Sequence, residues 1–314
     1  MSERIFPIEE CMEYDEFTDR VELLRELEAW IKNVRYKRSG STSIISPRRL
    51  GKTVLLERLV NTVFFKPEYQ VAPIYLSMGL EKMTLNEFII YYAETFLRQY
   101  IAYCLQDPEL YKTEPFSLKN LMELETNHSD VINAQNKFQN FINYFESNQN
   151  DSCINNWRHV VRLPELIAGS SDTYAAIIID EFQEMKFTAY DMPNTLFNEF
   201  KAKGQLIDEG AVDLTSSYRR LSQSRVAPML VSGSAVTMIF KTVMGGPLGG
   251  RFGFRYVKPL SIPDGVTLLF HLIRIYRSDL NIQPEMAFYA SSQVGGHPYY
   301  LYCLNLNKNL TAGK

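Results

Sequence analysis

The sequence predicts an α/β fold: a parallel sheet flanked by helices, with a helical insertion and a small helical C-terminal unit. Three observations predict it. Short apolar segments alternate with longer amphipathic ones, as buried parallel strands and their crossover helices do. The triplet Gly51-Lys52-Thr53 falls between the first apolar segment and the helical pattern that follows it. Further on, the apolar run Ala175–Ile179 delivers two acids, Asp180 and Glu181, at its carboxyl end.

The elements follow in order. In EFTDRVELLRELEAWIKNV, Val21, Leu24, Leu27, Trp30 and Ile31 recur at helical spacing, and Thr18 or Asp19 can cap the start. After the polar turn RYKRSGS, the segment STSIIS reads as a buried strand, VLLERLVNTVFF as a helix and VAPIYLSM as a second strand. Residues 85–168 interrupt the alternation. There Leu85, Phe88, Tyr92, Phe96, Tyr100 and Tyr103 mark one helical face, and Phe138, Phe141, Ile142 and Phe145 mark another in an Asn/Gln-rich stretch. The aromatic content can bury area, so this insertion is expected to be helical core and not disorder. The sheet resumes with TYAAIIIDEF and APMLVSGSA. A Gly-rich loop MGGPLGGRFG, a strand-like FRYVKPLS and helices around VTLLFHLIRIY and PEMAFYASSQ complete the chain.

Composition bounds the function. The chain has 314 residues, 46% apolar and 22% charged, which suffices for a large core and excludes a disordered or collagen-like chain. With 33 Lys+Arg against 36 Asp+Glu, the balance of −3 does not indicate a nucleic-acid coat, although a local basic groove stays open. Cys11, Cys104, Cys153 and Cys303 form no CxxC pair, and His128, His159, His271 and His297 never pair at helical spacing. The common zinc and redox spacings are thus absent, and reduced thiols in a cytoplasmic protein are expected. The acidic N-terminus has no apolar core of a secretory signal, and no run approaches a membrane span.

The chemistry concentrates in Ser46-Pro47-Arg48-Arg49-Leu50-Gly51-Lys52-Thr53. A phosphate-binding loop needs backbone N–H groups curled around anionic oxygens, a lysine at the β/γ-phosphates and a hydroxyl for Mg²⁺ at a helix N-terminus. Gly51, Lys52 and Thr53 stand at those positions, and Ser46 stands where the usual pattern has its first glycine. Asp180 and Glu181 reach the edge at which open α/β sheets bind ligands. Asp180 suits Mg²⁺, and Glu181 suits the attacking water.

These motifs, in this order, resemble the archaeal-type P-loop ATPases of the AAA+ superfamily, near its STAND branch. FTDRVELLREL resembles the family's leading box, which implies Phe17, Asp19 and Arg20 near the adenine. SPRRLGKTVLL resembles its phosphate loop, implying that Ser46 through Val54 bind the nucleotide. IIIDEFQ resembles its Mg²⁺ and water-activating strand, with Phe182 and Gln183 after the acids. LVSGSAVTM resembles its sensor strand, implying Ser232 and Ser234 near the γ-phosphate. GGRFGFRYVKPLS singles out Arg251, and GGHPYYL resembles the lid motif, with Gly296, Pro298 and Tyr299.

The resemblance implies an AAA+-like P-loop NTPase fold, with residues 1–262 as the α/β domain and 263–314 as a helical lid, the full protein continuing beyond Lys314. It implies Mg²⁺-dependent ATP hydrolysis that drives a conformational switch. Lys52, Glu181, Ser234 and Arg251 are the expected catalytic groups, and Thr53 and Asp180 the metal ligands. Arg251 also reads as a turn arginine paired with a surface acid, and His297 is assigned no role. Two alternatives stay open: an ATP-gated interaction module without turnover, whose partner binds the helical insertion, and the ATPase part of a DNA-handling protein. Oligomerisation is left open, and no membrane partner is expected.

Overall fold

The computed structural model describes residues 6–9, 17, 20–79, 81–112, 118–147, 153–234, 236–278 and 280–306. Five parallel strands form the main sheet: β1 (Thr42–Ile45), β2 (Val71–Ser77), β4 (Tyr174–Asp180), β6 (Met229–Gly233) and β7 (Gly253–Tyr256). They lie in the order β2-β4-β6-β1-β7. The registers Ser77↔Asp180, Ile179↔Val231, Ile45↔Gly233 and Ile45↔Tyr256 bring every carboxyl end to one edge. β1 and β6 are buried along their length, as strands covered on both faces must be. A short parallel pair, β3 (Met83–Thr84) with β5 (Ala189–Tyr190), stands apart from this sheet.

The edge strand β7 is shorter than the segment FRYVKPLS predicts. The Val257 N–H still donates to the Ile45 carbonyl at 3.1 Å, but Pro259 has no N–H to extend the ladder.

Helix α1 (Val21–Lys32) packs Leu27, Trp30 and Ile31 into the core, whereas Val21 is 50% exposed, so the apolar stripe does not extend to the helix start. Its N-cap is Arg20, in the left-handed region with no side-chain cap; the expected caps Thr18 and Asp19 lie outside the described residues. Helix α2 (Lys52–Phe64) follows β1 after the loop 46–51 and buries Leu55, Leu56, Leu59, Val60 and Val63.

Between β2 and β4 the chain is helical: α3 (Leu85–Leu105), α4 (Pro108–Lys112), α5 (Leu118–Met122), α6 (Ser129–Ser147), α7 (Cys153–Val160) and α8 (Leu163–Ala168). Thr84 and Glu87 start α3 with a reciprocal capping box. All six aromatic and leucine positions read from the α3 pattern are buried, and Ile89, Leu97 and Ile101 are buried too, so α3 runs through the core. On α6 only Phe138 of the expected stripe is fully buried, with Phe141 and Ile142 packed partly against the core. Trp157 of α7 meets Phe88, Tyr92 and Tyr218 edge-on or tilted, joining these helices to the main hydrophobic cluster.

After β5 come α9 (Asn194–Ala202) and, following β6, α10 (Val236–Met244). The last three helices are α11 (Ile262–Tyr276), α12 (Pro284–Gln293) and α13 (Pro298–Leu306). They hold two small clusters of their own, around Leu268, Leu272 and Leu301 and around Leu269, Ile273 and Ala287. No described helix is long and apolar enough to cross a membrane.

Candidate functional site

The loop from Ser46 to Gly51 turns the chain from β1 directly into α2. Ser46 is buried and lies outside the left-handed region, so this first position tolerates a side chain where glycine is usual. Arg49 (φ 65°) and Gly51 (φ 80°) do adopt left-handed backbone, which curls the loop. The helical ladder starts only with the Leu55 N–H donating to the Gly51 carbonyl at 3.1 Å. The N–H groups of Lys52, Thr53 and Val54 therefore precede that ladder and face out of the helix start, an anion-attracting end.

Lys52 is 4% exposed. Its ammonium donates to the Ser46 carbonyl at 3.3 Å, the Ser46 hydroxyl at 3.2 Å and the Pro47 carbonyl at 3.1 Å. Burial pushes its pKa below the usual lysine range, and the Glu181 and Asp180 carboxylates oppose that shift. A buried cation held only by neutral oxygens and facing two acids is well placed to receive an anion.

The acids come from the carboxyl end of β4. Asp180 is 1% exposed and is hydrogen-bonded on both oxygens. Oδ2 accepts from the Thr53 hydroxyl at 2.6 Å, and Oδ1 accepts from the Glu181 N–H at 3.1 Å and from the Ser232 hydroxyl. Glu181 sits in the left-handed region (φ 52°), which turns the chain immediately after the strand. Its Oε2 accepts from the Ser234 N–H at 3.0 Å, the Ser234 hydroxyl at 2.9 Å and the Gln183 amide. Gln183 is fully buried, and a Cβ on Gly233 would lie 2.2 Å from its Oε1, so that approach requires glycine.

A cleft of about 680 Å³ opens over these groups. Its lining includes Arg48, Arg49, Gly51, Lys52, Thr53, Glu181 and Ser234. Lys82, Glu184 and Asp208 also face it, and no sequence motif flagged them. Lys82 pairs with Asp208 at 2.7 Å at the rim.

The remaining expected residues divide. Phe17 carries the Arg58 guanidinium of α2 4.3 Å from its ring centre, and Arg20 donates to the Leu50 carbonyl at 3.3 Å, so Arg20 touches the loop, Phe17 sits against α2, and neither lines the cleft. Leu50 and the Val54 side chain are buried, which leaves their backbone as what the loop can offer. Pro298 begins α13, and its neighbour Tyr299 stacks on the Arg49 guanidinium at 4.1 Å. His297, given no role by its sequence context, hydrogen-bonds the Arg48 backbone. Burial pushes its imidazole below the usual histidine range against that bond. The tip of the three-helix unit thus touches the phosphate loop. Gly296 (φ 66°) permits this turn, since a Cβ there would lie 2.1 Å from the Leu260 carbonyl.

Arg251 is not brought to the site. It precedes β7, and Gly253 pairs with Thr42, the first residue of β1. It therefore lies at the amino edge, roughly 13 Å of strand from the phosphate loop. There Arg251 donates to the Gly249 carbonyl at 3.1 Å and lines a separate cavity of about 690 Å³ with Arg38, Thr42 and Arg255. The expected place for Arg251 at the γ-phosphate is thus corrected for a single chain, because residues leading into a parallel strand reach the edge opposite to those that leave it.

Strand, curled loop, buried lysine and a helix-borne hydroxyl on a strand-borne aspartate together decide the fold. The chain carries a P-loop α/β fold.

No family model matches the sequence, and no curated protein matches it. The solved structures that overlap it in shape include two ATPase-related ones. The Walker-type ATPase of Pyrococcus abyssi is 18% identical over 96% of this chain and 71% of that one, with a TM-score of 0.49. The ORC2 protein of Aeropyrum pernix, in its ADPNP and ADP complexes, is 12% identical over 95% and 70%, with a TM-score of 0.42.

Proposed function

We propose that the protein binds ATP with Mg²⁺ and hydrolyses it, in the manner of the archaeal-type AAA+ ATPases its motifs resemble. The observation that carries this reading is the Thr53 hydroxyl on buried Asp180, beside a buried Lys52 held only by neutral oxygens. The paired oxygens of Thr53 and Asp180 are hard donors of the kind Mg²⁺ accepts, which usually takes one or two protein ligands and fills its shell with phosphate and water. When bound, Mg²⁺ neutralises phosphate charge.

The chain's own residues do the rest. The N–H groups of Gly51 through Val54 and the loop backbone from Ser46 to Leu50 cradle the phosphates, and Lys52 exchanges its carbonyl partners for phosphate oxygens. Glu181 orients the attacking water and accepts its proton. Ser234 and Gln183 hold Glu181 by one oxygen, leaving the other for that water. Phe17, Arg20 and Pro298 flank the base side. The three-helix unit from residue 263 onward acts as a lid, reading loop occupancy through His297 on Arg48 and Tyr299 on Arg49.

A phosphate-release assay on the wild type and Glu181→Gln, with nucleotide binding measured in parallel, tests this. Binding retained by both with release lost in Glu181→Gln is expected. Nucleotide bound by both with no release from either overturns hydrolysis and leaves an ATP-gated interaction module. Turnover that rises with DNA and falls steeply with salt supports DNA handling.

A further inference from the structure

We propose that Cys104, His128 and Asp130 form a zinc site at the amino edge of the sheet, at the end of β4 opposite to the acids. The sulfur, an imidazole nitrogen and a carboxylate oxygen all lie within 4.8 Å of one another. Two separate segments deliver them. Cys104 is the penultimate residue of α3, His128 immediately precedes α6, and Asp130 is in its first turn.

Two further observations point to a cation. The Nδ1 atom of His128 is buried with no hydrogen-bond partner, a costly state for a polar group. Asp130 is 5% exposed, and no lysine or arginine pairs with it among the described residues. It accepts instead from the N–H groups of Asp172 at 3.1 Å and Thr173 at 2.8 Å. A carboxylate has about four acceptor sites, so these bonds orient it and leave capacity for a metal, as outer partners of metal-bound carboxylates do.

The donor set selects the ion. One sulfur, one nitrogen and one oxygen suit zinc, whereas Mg²⁺ and Ca²⁺ take oxygen throughout. Tetrahedral zinc sets such ligand atoms about 3.5 Å apart, given bonds of about 2.0–2.3 Å. Closing the observed spread to that distance would take small side-chain rotations of Cys104 and His128, both half-buried. Binding releases the Cys104 thiol proton to solvent, and water completes the shell. The ion would pin the end of α3, the start of α6 and the entry to β4 together, independently of nucleotide.

The whole chain, stripped with chelator, is loaded with Zn²⁺ or Co²⁺, desalted and assayed for bound metal. We expect one retained zinc ion per chain and a near-ultraviolet thiolate-to-cobalt band. Cys104→Ser should abolish that band, and His128→Gln should weaken zinc at least about tenfold. Cys153→Ser should change neither. Three results overturn the site: no retained metal, a cobalt spectrum without the thiolate band, or zinc lost from Asp180→Asn but kept by Cys104→Ser. Should Cys104→Ser not fold, the wild-type cobalt spectrum and the His128→Gln affinity decide alone.

Discussion

The two edges of the central sheet carry charge in different ways. At the carboxyl edge, Lys52, Thr53, Glu181 and Ser234 are buried or half-buried and line one cleft, with Thr53 bonded to Asp180 and Ser234 to Glu181. At the amino edge, Arg251, Arg255 and Glu26 share a wide cavity; Arg255 bonds the Thr42 hydroxyl at 2.7 Å and approaches Glu26 at 3.7 Å. The Glu28–Lys66 pair beside Tyr69 is a structural clamp between α1 and the segment entering β2. The first arrangement confines charge where a ligand can enter; the second anchors the scaffold. The difference teaches that direction along a parallel strand, more than sequence neighbourhood, assigns a polar residue its task.

Substitutions that separate turnover from stability test this division. Glu181→Gln should cut phosphate release by about 10²-fold or more while ATP still binds, as loss of a general base does. Unchanged release would remove catalysis from the carboxyl edge. Next, Lys52→Ala should weaken ATP by about 10–100-fold in a binding titration, the scale of a charged hydrogen bond of about 1.5–3 kcal/mol.

Gly233→Ala drives a Cβ toward Gln183 and should cost about 1–3 kcal/mol in a urea melt, with turnover falling as Glu181 loses its orientation. A variant of wild-type stability and rate would show that Gln183 does not position the acid.

At the amino edge, Glu28→Gln should cost only about 0.5 kcal/mol after solvent screening and leave turnover alone. Burial raises the Glu28 carboxyl, but the hydrogen bonds from Lys66 and Tyr69 and the charges of Lys66 and Lys32 outweigh it, so the net shift is downward. A carboxyl lowered in the folded state binds fewer protons than its unfolded counterpart in the acid range. Its contribution is therefore complete above the unfolded value, falls as pH drops through the folded one, and vanishes below it. Paired urea melts at neutral and acid pH should show the wild-type advantage disappearing. The smallest effect belongs to Arg251→Ala, whose turnover should stay within about twofold, or about 0.4 kcal/mol. A loss on the scale of Glu181→Gln would mean that this arginine reaches a nucleotide in another copy of the chain.

Much of the site was legible because its residues obey local rules. The triplet after an apolar strand and the acids ending another are matters of spacing, so Lys52, Thr53, Asp180 and Glu181 could be named before their meeting was seen. Gln183 was visible only as a companion of the acids, and nothing marked its clamp on Glu181. Lys82 and His297 were illegible as cleft and loop partners, since each reaches its place through a turn that propensity does not encode. Arg251 is the reverse case, since the motif resemblance implies a proximity that strand direction denies.

By itself the sequence determined the layer pattern and the contents of the phosphate loop, because hydrophobic period and a strand–loop–helix turn are local properties. The tertiary structure alone decided strand order, which places β6 between β4 and β1 and so sets the acids against the loop. It also decided which polar residues became neighbours across long stretches of chain. The cysteine and histidine spacings excluded a zinc motif along the chain, yet Cys104, His128 and Asp130 meet in space. Contacts of that kind follow from burying α3 and α6 against the same core, a global packing solution that no local spacing records.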